Sequence, residues 1–144
     1  TRLIIAGSEM YKTNELMTYK SEMLFGKDVI FTGRLSDRDI NNVLASALGL
    51  VFVPLFEGFG IPVIEAMQCD VPVIASDVTS LPEIVSNAGL LVNPENFYEI
   101  AGAMIKLEDE ALRKELIERG RIRKTFFSWD KTSDLLWDSV KKIL

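Results

Sequence analysis

The chain has 144 residues, of which 48% are hydrophobic and 26% charged, a composition typical of a globular protein with a sizeable core. Its net charge of −5 argues against a general nucleic-acid-binding surface, because phosphate backbones are bound by basic surfaces. The chain has no histidine, the commonest metal ligand. Its single cysteine, Cys69, cannot form an internal disulfide.

The first residues already form an apolar segment, Arg2-Leu3-Ile4-Ile5-Ala6, which predicts a strand and is too short for a secretory signal. Because natural proteins rarely begin inside a core strand, we expect this chain to be part of a longer one. No apolar run approaches the roughly 20 residues that span a bilayer. These features together predict a cytoplasmic protein.

Apolar segments that predict strands alternate with amphipathic segments that predict helices. The predicted strands cover residues 3–6, 29–32, 50–56, 71–75 and 90–92. The predicted helices cover residues 14–25, 36–47, 62–69, a short segment after residue 80, 96–107, 109–126 and a last segment from residue 128. Trp129 and Trp137 in the last helix are expected to pack in the core or against a second domain.

The order of elements predicts an α/β fold with a doubly wound, Rossmann-like parallel sheet covered by helices on both faces. Three helix starts show capping residues followed three positions later by an acidic residue, at Ser36, Ser80 and Asn96. In such sheets ligands bind beyond the carboxyl ends of the strands, so the loops after the strands are the candidate sites.

Residues 57–65, Glu-Gly-Phe-Gly-Ile-Pro-Val-Ile-Glu, follow the third predicted strand and open a helix. Pro62 suits the first helical turn, where its missing N–H has no cost. Gly58 and Gly60 allow a ligand to approach the backbone closely. A strand, a glycine loop and a helix N-terminus in this order direct backbone N–H groups and the positive helix end to one place, which predicts an anion site.

Two carboxylates, Glu57 and Glu65, lie at the ends of this segment. A carboxylate only accepts hydrogen bonds, so it suits paired sugar hydroxyls. A ligand with both phosphate and sugar, such as a nucleotide-sugar, fits the combination. The spacing of the two glutamates alone is equally compatible with no binding role, with Glu57 as an ordinary loop carboxylate and Glu65 as a solvated helix residue.

EGFGIPVIE followed by AMQCDVPVIASD resembles the Glu-x7-Glu signature of retaining glycosyltransferases with the GT-B fold, in the group 1 family (family four) of hexosyltransferases. VIFTGRLSDRDINNVLASALGLVFVPLFEGFG, SLPEIV, AGLLVNPEN and FFSWDK extend the resemblance over nearly the whole chain. It implies that residues 1–144 are the C-terminal, donor-binding domain of a two-domain enzyme. One departure is Asp70, where the family usually has glycine; aspartate tolerates a left-handed helix end better than most residues.

The resemblance also implies roles for individual residues. Glu57 would contact the donor sugar hydroxyls and help to position the anomeric centre. Backbone groups of Gly58, Phe59 and Gly60 would line the sugar and phosphate, although Phe59 could instead simply pack under the loop. Glu65 would bind the ribose hydroxyls.

The same resemblance places the phosphate at the N–H groups of Ile61 and its neighbours, at the helix start that contains Pro62. Gly33, Arg34 and Leu35, which follow the second predicted strand, would lie beside the nucleotide base. Arg34 could also be a solvated loop arginine. We therefore expect a donor site built from two strand ends, with no metal ligand and no cofactor besides the GDP- or UDP-linked donor.

The implied reaction is the metal-independent transfer of a hexose, with retention of configuration, to a saccharide or lipid-linked acceptor. TGRLSD and LFEGFGIPVIEAM favour a mannosyl-type donor linked to GDP, with UDP- and ADP-sugars left open. The isolated domain is expected to be inactive, because most acceptor contacts belong to the other half of the family's fold. Contact of the full-length enzyme with the inner face of the membrane is a further expectation.

Two other classes of protein remain open from the residues. A non-catalytic nucleotide-binding or interaction module would share the alternation of strands and helices. A flavodoxin-like receiver would need acidic residues clustered after its first strand, where only Glu9 lies. A non-hydrolysing sugar epimerase would rely on a histidine that this chain lacks.

Overall fold

The computed structural model describes residues 1–8 and 13–143, and Glu9 lies outside them. The chain divides into two compact units, Thr1–Val43 and Leu44–Leu144. The strands are β1 (Leu3–Ala6), β2 (Val29–Gly33), β3 (Leu50–Phe52), β4 (Val73–Ser76) and β5 (Gly89–Val92). The α-helices are α1 (Thr13–Glu22), α2 (Asp37–Ala45), α3 (Ile61–Gln68), α4 (Leu81–Val85), α5 (Phe97–Lys106), α6 (Glu110–Arg123) and α7 (Trp129–Lys141).

The first unit contains a two-stranded parallel sheet, in which Leu3 pairs with Val29 and Ile4 with Ile30. The side chains of β1 are exposed, with Ile4 at 45% and Leu3 at 38%. The expectation that each strand is buried on both faces is therefore wrong for β1, and β2, β3 and β5 are only partly buried. The physical reason is that side chains are buried by elements packed on the faces of a sheet, and neither cluster of buried apolar side chains in the described residues includes a residue of β1.

The second unit contains a three-stranded parallel sheet in the order β3-β4-β5. Its central strand β4 is buried throughout. Because alternate side chains point to opposite faces, Val73 and Ala75 join one core cluster with residues of α3 and α4. Ile74 joins the other cluster with Leu116 and residues of α5. The predicted α/β fold with parallel strands between helices is confirmed.

Several element boundaries differ from the sequence prediction. β3 ends at Phe52 and not at residue 56, since Pro54 lacks the N–H that a continuing sheet would use. Helix α6 ends at Arg123, and residues 124–126 form a separate turn of 3-10 helix. α1 ends at Glu22, three residues before its predicted end.

Two of the three predicted helix caps are confirmed. The Asp39 N–H donates to the Ser36 hydroxyl, and the same hydroxyl donates to the Asp39 carboxylate. The Asn96 side chain accepts from the Tyr98 and Glu99 N–H groups. The third, at Ser80, forms no capping hydrogen bond through its side chain.

The last helix, α7, is exposed along its length. Trp129 is 82% exposed and Trp137 58%, so they are not core residues within the described part of the chain. Their packing against a second domain stays a prediction. None of the helices in residues 1–8 and 13–143 combines the length and apolar character needed to cross a bilayer.

Candidate functional site

The segment that joins β3 to α3 ends in a glycine that the local geometry requires. Gly60 is the N-cap residue of α3 and has a φ of 106°, a left-handed conformation that side-chain-bearing residues rarely adopt. A Cβ added at Gly60 would lie 2.6 Å from Cδ2 of Leu81, which is fully buried. Gly60 therefore lets the loop enter the helix while lying directly on α4. We call residues 57–60 the glutamate loop.

The Glu57 carboxylate is folded back on its own loop. One oxygen, Oε1, accepts from the N–H of Gly58 at 2.9 Å and from the N–H of Phe59 at 3.3 Å. Two successive backbone donors thus converge on one negatively charged oxygen, which shows that the loop can bind an anionic or strongly polar oxygen. Glu57 itself is only partly buried, so its carboxylate is accessible for exchange with another acceptor.

The residues before α4 hold the backbone of the glutamate loop. The Glu57 N–H donates to the Thr79 hydroxyl oxygen at 3.3 Å. The Ser80 hydroxyl lies 3.0 Å from the Glu57 carbonyl oxygen and 3.2 Å from that of Phe59, and donates to them. Thr79 has a φ of 57°, an outlying conformation for a β-branched residue. Strained backbone of this kind concentrates at functional sites.

These contacts correct one prediction from the sequence. Ser80 is the N-cap residue of α4, but its side chain forms no capping hydrogen bond there. Ser80 has helical backbone angles, φ −81° and ψ −19°, in place of the extended backbone of a capping residue, and its hydroxyl donates instead to two carbonyl groups of the glutamate loop. Ser80 and Thr79 are thus site residues that sequence reasoning missed, and the serine was hidden by its resemblance to a cap.

The Phe59 side chain extends to one side of the loop and meets the ring of Phe127. The two ring centroids are 6.0 Å apart and the rings are nearly perpendicular, an edge-to-face arrangement. Phe59 is 46% exposed, so it does not pack under the loop as one interpretation of the sequence had it.

The helix that follows the loop starts as the sequence predicts. Ile61 is its first residue and Pro62 its second. Pro62 has no N–H, the Val63 N–H donates to the Gly60 carbonyl at 3.0 Å, and the Ile61 N–H has no acceptor within the helix. The positive end of the helix dipole lies at this start. Glu65 lies about one turn further along α3 and is exposed. The structure thus brings together Glu57 to Glu65 as one loop and helix start.

Gly33, Arg34 and Leu35 belong to the first unit, at the carboxyl end of β2. Gly33 has a φ of 66°, and its carbonyl accepts from the Gly7 N–H at 3.0 Å. Arg34 is exposed and Leu35 partly buried. Their predicted role beside the base stays a prediction.

No group of three or more His, Cys, Asp or Glu side chains in the described ranges is placed to hold a metal ion. The sequence contains one Asp-x-Asp segment, residues 37–39. Its second aspartate, Asp39, takes part in the Ser36 cap at the start of α2. Capping therefore accounts for that carboxylate.

Asp70, where the resembled family usually has glycine, adopts a φ of 57° just after α3, as expected for a left-handed helix end. Its carboxylate contacts Arg121 at 2.8 Å and Lys124 at 3.3 Å. The hydrogen bond from Arg121, followed by that from Lys124, lowers the pKa of the Asp70 carboxyl. Asp70 thus connects the end of α3 to α6.

A family model described as "Glycosyl transferases group 1" matches residues 1–123. O-antigen chain mannosyltransferase B of Escherichia coli is 39% identical over 101 residues, which are 69% of this chain and 26% of that protein. Serotype-specific mannosyltransferase WbdA of Escherichia coli is 37% identical over 117 residues, or 81% of this chain and 14% of that protein. The chain thus spans about a quarter or less of the length of these relatives.

Solved structures agree with this relation. Sucrose-phosphate synthase from Thermosynechococcus elongatus superposes with a TM-score of 0.83 at 27% identity, over 99% of this chain and 38% of that chain. Anabaena HepE in complex with UDP-glucose gives a TM-score of 0.86 at 19% identity, over 98% of this chain and 41% of that chain, and shows the shared fold. From the family match over residues 1–123 and the sequence relatives, the chain belongs to the group 1 glycosyl transferases.

Proposed function

We propose that this chain binds the nucleotide-sugar donor of a retaining, metal-independent glycosyltransferase that transfers a hexose to a saccharide or lipid-linked acceptor. The observation that supports this most is the glutamate loop itself. Its backbone N–H groups at residues 58 and 59 already hold a carboxylate oxygen, directly before the N-terminus of α3.

In the proposed complex the Glu57 carboxylate leaves the backbone N–H groups and accepts hydrogen bonds from the donor sugar hydroxyls. The freed N–H groups of Gly58 and Phe59 then face oxygens of the sugar and phosphate. The exchange replaces one set of hydrogen bonds to a charged oxygen by another, so little is lost when the donor enters. Glu57 thereby holds the anomeric centre in place for the transfer.

The diphosphate of the donor is placed at the start of α3, where the N–H groups around Ile61 and the helix dipole stabilise negative charge. The exposed carboxylate of Glu65 accepts from the ribose hydroxyls. For the first unit, the separate proposal is that Gly33, Arg34 and Leu35 contact a nucleotide base. With the helix N-terminus facing the leaving phosphate, the reaction as proposed needs no metal ion and no cofactor.

The donor proposed here is a mannosyl-type sugar nucleotide, with GDP favoured. Support comes from the sequence relatives, whose names identify them as mannosyltransferases. A UDP-linked donor is the alternative, since the structure of HepE, which shares the fold, was solved in complex with UDP-glucose. Binding of GDP and of UDP separates the two.

A separate proposal is that the complete enzyme acts in the cytoplasm at the inner face of the membrane.

We also propose that the complete enzyme has a second domain that binds the acceptor. A cleft between two domains excludes water and aligns the reacting groups. The chain alone is therefore proposed to bind the donor but not to transfer the sugar.

Isothermal titration of GDP and UDP into the Glu65→Ala variant tests the nucleotide site. Hydrogen bonds to a charged group contribute about 1.5–3 kcal/mol, so we expect the dissociation constant to rise roughly tenfold or more. The matched control is Glu108→Ala, which removes an exposed glutamate from the turn between α5 and α6. Equal affinities of Glu65→Ala and the control would remove Glu65 from the proposed site.

A further inference from the structure

We propose that Phe127 is a positioning residue for the donor site: held by Arg123, its ring fixes Phe59 and with it the glutamate loop. The inference deepens the proposed function, on which its relevance to donor binding rests. The proposal starts from the contact between Phe127, which follows α6, and Phe59, which lies far earlier in the sequence.

Of the two rings, Phe127 is the anchored one. It is partly buried and packs against the core cluster that includes residues of α3 and α4. Phe59 is 46% exposed and meets the Phe127 ring edge to face. Because the anchored ring limits where the exposed one can lie, the side chain of Phe59 ties the middle of the glutamate loop to the core.

Arg123 also contacts the Phe127 ring. Its guanidinium carbon lies 4.9 Å from the centroid of the Phe127 ring, close enough for a cation–π interaction. The same guanidinium donates to the carbonyl groups of Glu83 and Ile84 in α4. Arg123 therefore fixes the Phe127 ring relative to α4.

Helix α4 is also the second attachment of the loop. Ser80, directly before the helix, donates to the carbonyl groups of Glu57 and Phe59. The backbone of the loop is thus held by Ser80 at the start of α4. The Phe59 side chain is held by the Phe127 ring, which Arg123 connects to α4. Both attachments fix the peptide groups of Gly58 and Phe59, whose N–H groups are the donors of the proposed site.

Solvent exchange of individual backbone amides, measured by NMR on the ligand-free chain, tests the proposal. In Phe127→Ala we expect the Gly58 and Phe59 amides to exchange about three- to tenfold faster, the factor that corresponds to the loss of one aromatic pair. The amide of Ile74, in the buried strand β4, reports global stability and is expected to change much less.

The matched control is Phe126→Ala, because Phe126 also lies under the Arg123 guanidinium, at 5.2 Å, and is 53% exposed. This control is expected to leave the two loop amides unchanged. Phe59→Ala removes the same ring contact by truncating its more exposed partner, and we expect it to accelerate exchange of the loop amides as Phe127→Ala does. Because Phe59 is 46% exposed, this variant serves as the test if Phe127→Ala folds poorly. Phe127→Tyr keeps the ring and is expected to restore slow exchange.

Equal loop exchange in Phe59→Ala and Phe126→Ala would overturn the proposal, and so would an acceleration in Phe127→Ala that is equally large at Ile74. The measurement needs no ligand, so its failure concerns positioning alone. Absence of nucleotide binding by the unaltered chain would instead contradict the proposed function.

Discussion

Strands β1 and β4 have nearly the same character in sequence and opposite environments in the structure. Both are four-residue apolar strands, Leu-Ile-Ile-Ala and Val-Ile-Ala-Ser, in parallel sheets. Ile74 in β4 is 0% exposed, whereas Ile5 in β1 is 39% exposed. The difference comes from their neighbours: β4 has a strand on each side and a core cluster on each face, while β1 pairs with β2 alone in the described residues.

The comparison shows where rigidity is available for a binding site. The glutamate loop follows β3 and lies on α4, so it is built on the well-packed unit that contains β4. Hydrogen bonds that must hold a donor within a few tenths of an ångström need such support, because side chains and loops without packing lose order easily. The amino-acid composition of a strand does not by itself show whether its sheet is packed well enough to support a binding loop.

The largest expected effect is a difference between equivalent substitutions in the two strands. Ile74→Ala should lower the free energy of unfolding by about 2–5 kcal/mol, the range for a buried isoleucine that leaves a cavity. Ile5→Ala removes the same atoms from a partly exposed site and should cost less than about 2 kcal/mol. Urea unfolding followed by circular dichroism measures both. Equal losses would show that β1 is as well packed as β4.

A smaller contrast is expected between the two glycines of the glutamate loop. Gly60→Ala places a Cβ 2.6 Å from Leu81 at a positive φ and should cost about 1–3 kcal/mol of unfolding free energy. Gly58→Ala is the control, since a Cβ there has no heavy atom within 4 Å. Thermal unfolding of both variants checks this, and similar melting temperatures would contradict the close approach of the loop to α4.

The smallest effect concerns the ion pairs of Asp70 and depends on pH. Because the pKa of Asp70 is lower in the folded state, its stabilisation is fully present above the unfolded value of about 3.9 and is lost as the pH falls from there through the lower folded-state value. Asp70→Asn keeps a residue that tolerates positive φ and should cost about 0.2–1 kcal/mol at pH 7, the range for exposed pairs. Urea unfolding at a series of pH values from 7 downwards measures it; a loss in Asp70→Asn that does not shrink as the pH falls below the unfolded value would contradict an ionic cause.

Much of the fold was predictable because its determinants are local. The apolar segments at β4 and β5 and the capping residues Ser36 and Asn96 act within a few residues, so the sequence indicates them directly. The same holds for the order of strand, glycine loop and helix around Gly60. The α/β class follows from that alternation.

The supports of the site could not be predicted, because they join segments distant in the chain. Nothing near Phe127 indicates that its ring meets Phe59, and the cap-like position of Ser80 conceals its bonds to the loop. The positive φ of Asp70 could be predicted from its position after α3, whereas its ion pair with Arg121 could not. Each of these contacts depends on how α4 and α6 pack, which local sequence patterns do not specify.

The central claim is that the glutamate loop and the start of α3 bind the donor. Backbone amide chemical shifts of the chain, recorded during titration with GDP-mannose and separately with UDP-glucose, test it most directly. We predict saturable shifts at Gly58, Phe59, Gly60 and Ile61 with one of the two donors, while the amides in the middle of α6 stay in place. Saturable shifts elsewhere with the loop amides unmoved, or no shifts with either donor, would contradict the account.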